Sequence, residues 1–192
     1  MNIVEHTNEL LYIQWGVVIC ASLGAAITDI RTRRIPNVLT ISLLFSGLIF
    51  NLLNYGGIAL ISAIGACVFL AIPFILLYAF AGGGAGDAKL MGAIGAWLGL
   101  EHGVYALLTV IFVGAFFGIV FALVNRQFTP VARRLKLMFD NITSLMIFNK
   151  GKGVTKAIKS SVKPREMLYM PYGVAIFAGV ILSGTGVMVW PL

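Results

Sequence analysis

The feature that most constrains this chain is a succession of long apolar runs. Residues 10–28, 35–53, 58–81, 104–124 and 171–190 each approach or exceed the roughly 20 residues that carry a helix across hydrocarbon. A sixth run, 88–100, is apolar but short, and a glycine-rich stretch leads into it. Pro73 lies inside the third run, where a packed membrane helix tolerates a kink. Of the 192 residues, 59% are apolar and 11% charged, against about 25% charged in a soluble domain. An ordinary soluble domain and a disordered chain are both excluded. The first run is not a cleaved signal peptide: Glu5 and Glu9 precede it instead of basic residues, and further spans follow.

The charges orient these runs. Arg31, Arg33 and Arg34 follow the first, Lys89 follows the third, and the other basic residues fall between Arg126 and Arg165. The connections after the second and fourth runs hold none. Six spans place every Lys and Arg on one side, which the positive-inside rule makes cytoplasmic. Five spans would split them. The sequence therefore predicts an all-α, polytopic membrane protein with six transmembrane helices, the fourth short, and both termini extracytoplasmic. It reads as one membrane-embedded domain over 1–192, multi-pass in the cytoplasmic (inner) membrane, with a basic cytoplasmic loop at 125–170. Within that loop Val131, Leu135, Met138, Ile142 and Leu145 recur at four-three spacing, as in an interfacial helix. Lys150 to Arg165 is cationic and suits anionic lipid. The +7 net charge follows from topology, and no nucleic-acid partner is needed to explain it. Trp15, Trp97 and Trp190 fall near span ends, as interfacial aromatics do.

Chemistry narrows to two acids. Glu5, Glu9 and Glu101 fall outside, and Asp140 and Glu166 lie in the basic loop. Asp29 and Asp87 remain, each at the cytoplasmic end of an apolar segment, where an ionisable group is costly and usually functional. Two carboxyls brought together share one proton, so one takes a proton from water while the other donates to a carbonyl oxygen. That is peptide hydrolysis without metal or covalent intermediate. Structural readings stand beside it. Asp29 can be neutralised by Arg31, Arg33 or Arg34, and Asp87 can cap the helix that follows. The approach Gly82-Gly83-Gly84-Ala85-Gly86 leaves room for a substrate backbone, or is a plain loop. No strand precedes it and no GK[ST] follows, which excludes a phosphate loop. His6 and His102 have no partner at ligand spacing, and Cys20 and Cys67 form no CxxC pair, so neither a metal nor another cofactor is expected. Gly92, Gly95 and Gly99, and Gly114 with Gly118, have the spacing of close helix packing.

Gly84-Ala85-Gly86-Asp87-Ala88-Lys89-Leu90, followed by Gly95-Ala96-Trp97-Leu98-Gly99, resembles the GxGDxKL…GAWLG signature of type IV prepilin peptidases, membrane aspartyl proteases of the GxGD class. Asp29 lies in a stretch similar to that family's D-x(5)-IPN-x-x-T, with Ile35-Pro36-Asn37 and Thr40 in place, and Pro171-Tyr172-Gly173 resembles its P-[FY]-G. The resemblance implies that Asp29 and Asp87 are the catalytic pair, that Gly84 and Gly86 shape the loop, and that Lys89 is the cation of GDxK. Physically, Lys89 tunes the local field, snorkels to lipid phosphate or sets topology. Pro36 and Asn37 suit the start of a helix. The implied function is removal of the basic leader from prepilin or pseudopilin-like substrates at the cytoplasmic face, without cofactor. Bifunctional members carry an N-terminal methyltransferase portion with paired CxxC motifs. Here the chain begins at the first span, which implies cleavage without methylation. A short chain with the Arg-rich IPN stretch looks most like the tight-adherence (Flp pilus) subclass; archaeal preflagellin peptidases are also short. Two other classes compete: a small transporter using both acids as a relay, and a non-enzymatic pilus-assembly platform docking through its basic loop. The substrate's cut site and the oligomeric state are left open.

Overall fold

A computed structural model describes residues 3–81, 84–124 and 172–189, and among them every regular element is a helix. The elements are α1 (Ile3–Thr32), α2 (Asn37–Ala81), α3 (Ala85–Val124) and α4 (Tyr172–Val189). The interfacial helix expected at 131–145, the cationic stretch 150–165 and Trp190 lie outside the described residues.

Three of these helices are long and apolar enough to cross a membrane, and α4 is a shorter apolar helix. At about 1.5 Å per residue, the 45 residues of α2 and the 40 of α3 are about twice the length a bilayer core of roughly 30 Å requires. Each is broken once. Gly56 (φ 81°) divides α2, and Gly99 (φ 68°) divides α3, in left-handed conformations that glycine adopts without steric cost. The break in α2 falls in the connection expected after the second apolar run, and Pro73 remains within the helix. The break in α3 comes at Gly99, ahead of the expected connection at 101–103.

The arms fold back on each other. Thr40 and Tyr78, from opposite ends of α2, flank the same turn of α3 at Lys89. Gly103 lies over Gly95, whose Cα is 3.9 Å from where a Gly103 Cβ would stand. Helix α4 runs antiparallel to α1, with Gly173 against Asp29 and Gly184 against Trp15. One end of the bundle thus collects the last turn of α1 and the first turns of α2, α3 and α4. Between the helices lie the buried side chains Trp15, Val18, Leu70, Met91, Ile94 and Val180.

The break at Gly99 frees carbonyls that have no helical partner one turn on. In an apolar medium such groups are costly. Gln14 Nε2 donates to the Trp97 carbonyl at 2.8 Å, and Asn51 Nδ2 donates to the Ala96 carbonyl at 2.9 Å. Both side chains are buried. Trp97 is itself held by its indole N–H, donated to the Leu43 carbonyl at 2.8 Å. Gln14 and Asn51 therefore let a helix end inside the bundle.

Glycine spacing divides by role. A Cβ on Gly95 would stand 2.6 Å from the Ala66 carbonyl oxygen, and one on Gly92 would stand 3.2 Å from that of Cys67. These two permit close packing, whereas Gly99 supplies the break. Among the described residues nothing lies within 4 Å of where a Gly118 Cβ would stand, although its spacing from Gly114 is that of a packing notch. Gly95→Ala is expected to destabilise by about 1–3 kcal/mol, the usual cost of overpacking, and to lower the thermal unfolding midpoint in detergent. Gly118→Ala is expected to leave that midpoint unchanged or raise it slightly, because alanine is the better helix former.

Candidate active site

Asp29 stands in the last turn of α1 and is 2% exposed. The helix ends just beyond it. Thr32 is the final helical residue, and Arg33 takes a left-handed conformation (φ 54°), its N–H donating to the Asp29 carbonyl at 2.9 Å. Such a residue at a helix C-terminus satisfies an orphan carbonyl and redirects the chain. Pro36 follows, and its carbonyl accepts the Thr40 N–H as α2 begins.

Asp87 is the third residue of α3 rather than its cap. An acid in the first turn suits the positive end of the helix. Its N–H donates to the Gly84 carbonyl at 3.2 Å, and its carboxyl folds back over Gly84. A Cβ on Gly84 would stand 2.7 Å from Asp87 Oδ2, so any side chain there displaces the acid. Gly86 faces the other way, and its Cβ would stand 3.1 Å from that of Ile35. Room for a passing substrate backbone was expected beside both glycines. At Gly86 that space is occupied by Ile35, from the connection between α1 and α2, and at Gly84 by Asp87 itself.

The fold brings Asp29 and Asp87 close enough to interact electrostatically. Two further residues join them. The Gly173 N–H, at the start of α4, donates to Asp29 Oδ2 at 2.9 Å. A Cβ on Gly173 would stand 3.0 Å from that of Asp29, so glycine is what admits this approach. Tyr172 lies near Asp87, with its ring edge-on to Phe74 at 5.9 Å between centroids. Its hydroxyl occupies the notch left by Gly114, where a Cβ would collide with it. The sequence marked Tyr172 and Gly173 only through the P-[FY]-G resemblance; their contacts across the fold carry no local signal.

Lys89 is exposed and donates from Nζ to Asn37 Oδ1 at 2.9 Å. A cavity of about 480 Å³ runs along the same turn of α3, lined by Thr40, Ile41, Cys67, Ile75, Tyr78 and Ala88 among others. Its wall is almost wholly apolar. Among the described residues no group of three or more His, Cys, Asp or Glu side chains is placed to hold a metal ion.

The model of the type IV leader peptidase family matches residues 16–122, a segment that contains both acids and the connection between α1 and α2. The chain belongs to the type IV leader peptidase family. It is 33% identical over 154 residues to a prepilin leader peptidase/N-methyltransferase of Neisseria gonorrhoeae, covering 74% of this chain and 51% of that one. It is 38% identical over 120 residues to the protein of that name from Pectobacterium carotovorum subsp. carotovorum, covering 58% and 42%. With the one from Aeromonas hydrophila it shares 41% identity over 120 residues, covering 59% and 39%. The chain thus spans about half the length of these relatives, or less. No solved structure matches it.

Proposed function

We propose that this protein is a six-span aspartyl endopeptidase of the cytoplasmic (inner) membrane, with both termini extracytoplasmic. It removes the basic leader from prepilin or pseudopilin-like substrates at the cytoplasmic face. What supports this reading is that Asp29 and Asp87, from separate helices, lie within electrostatic range of each other at one end of the bundle in a chain of this family.

The chemistry of this reading is that of two carboxyls that hold one proton between them. A water between them gives a proton to the ionised group as it attacks the scissile carbonyl carbon. The protonated group donates to the carbonyl oxygen, and collapse of the tetrahedral intermediate delivers a proton to the leaving amine. The Gly173 N–H donates to Asp29 Oδ2 and so orients the Asp29 carboxyl. No covalent intermediate is required. The substrate's apolar helix lies in the bilayer beside its basic leader, which presents the scissile bond at the depth of the acids and raises its effective concentration. The reading is of cleavage without N-methylation, as in the tight-adherence subclass, and the methyl-donor arm of the test below decides that part of it.

The test is incubation of the purified protein in detergent with a peptide comprising a basic leader and an apolar helix, followed by mass analysis. A single cut between the two parts is expected, with an unmethylated new N-terminus even when a methyl donor is present. EDTA is expected to leave the rate unchanged, since the acids themselves supply the proton transfers. No cut, or an EDTA-sensitive one restored by zinc, removes this reading.

A further inference from the structure

Two contacts join the end of the α1–α2 connection and the first residue of α2 to the start of α3, and neither involves an acid. Ile35 fills the space beside Gly86, and Asn37 Oδ1 accepts the Lys89 ammonium proton at 2.9 Å. Asp29 lies one turn before this connection, with its carbonyl tied to Arg33. Asp87 lies between Gly86 and Lys89. The two contacts therefore bridge the segments that carry the two acids. At the far end of the bundle α1 is pinned to α3 by Gln14 on Trp97. At the acid end the side of the connection is held by Ile35 and Asn37.

We propose that Asn37 is a positioning residue, and that its hydrogen bond with Lys89 clasps the start of α2 to the first turn of α3 and so sets the separation of Asp29 and Asp87. This rests on the aspartyl-protease reading above. The IPN and GDxK stretches are then two halves of one device. Asn37 offers an amide oxygen, Lys89 a charged donor, and Gly86 the flat surface against which Ile35 closes. A charge-assisted hydrogen bond is stronger than a neutral one, and proton transfer between two acids and a water is sensitive to displacements of about 1 Å. Loss of the clasp is therefore read in turnover rather than in substrate affinity.

The wild-type rate on the basic-leader peptide is measured first, so failure of the protease reading is seen by itself. Asn37→Leu and Lys89→Met are each expected to lower kcat about tenfold with little change in KM, and the double variant to lose no more than either single. Asn37→Asp, which keeps an acceptor oxygen toward Lys89, is expected to recover most of the turnover. A readout without substrate accompanies these. Nitroxide labels at Arg34→Cys and Ala85→Cys, in a Cys20→Ser/Cys67→Ser background, report the spread of distances across the clasp. Asn37→Leu is expected to broaden that distribution and Asn37→Asp to restore it. Full kcat in Asn37→Leu, losses that add in the double variant, or a distribution indifferent to Asn37 overturns the proposal.

Discussion

Asp29→Asn and Asp87→Asn are each expected to cut the rate of leader cleavage by about 100- to 10,000-fold, the range for losing one group in general acid–base catalysis. Each substitution removes an ionisable group and changes volume little. Asp87 sits in the first turn of α3, where an uncharged residue is tolerated, so Asp87→Asn is expected to insert and fold. Asp29→Asn keeps a carbonyl oxygen that can accept the Gly173 N–H. The thermal unfolding midpoint in detergent is expected to change little in either variant. Turnover per folded molecule, measured against the wild type, separates chemistry from stability, and near wild-type turnover in either variant contradicts the assignment.

Gly173→Ala is expected to lower kcat by about 100-fold, although it removes no chemical group. Its Cβ would stand 3.0 Å from that of Asp29 and 3.1 Å from Oδ2, so the carboxyl must move by some tenths of an ångström or α4 must retreat. Either shift would disturb the proposed geometry in which the two acids share a water, and misplacement on the order of 1 Å costs about that factor. Gly184→Ala is the control on the same helix. It brings a Cβ to 3.0 Å from Trp15 Cε3, comparable crowding at the opposite end of α4. Its expected effect is lower stability with unchanged turnover in the molecules that fold. Equal kcat for Gly173→Ala and wild type contradicts the placement of Gly173 in the site.

Much of this was legible in the sequence, for a physical reason. Apolar runs near 20 residues reflect the bilayer itself, so the described helical arms of α1 to α4 fall along those runs. The two acids stood out because so few ionisable groups sit at the ends of apolar segments. Local pattern carried less about where helices break. Gly99 bends α3 because Gln14 and Asn51, distant in sequence, supply donors for the carbonyls released there. Nor did glycine spacing separate a packing surface at Gly95 from an open one at Gly118. The sequence presents Lys89 as a cation that tunes the local field, snorkels to lipid phosphate or sets topology; that its ammonium reaches Asn37, 52 positions away, has no local signal. The Gly173 contact spans 144 positions. These are properties of the folded arrangement.

The most direct test of a single proton-sharing pair is the turnover of the double variant, Asp29→Asn with Asp87→Asn, beside each single variant on the same basic-leader peptide. Groups that act as one unit lose everything with the first removal. The double variant is therefore expected to be no slower than the slower single variant. A double variant slower by the product of the two single losses would contradict the pair and assign the two acids independent roles.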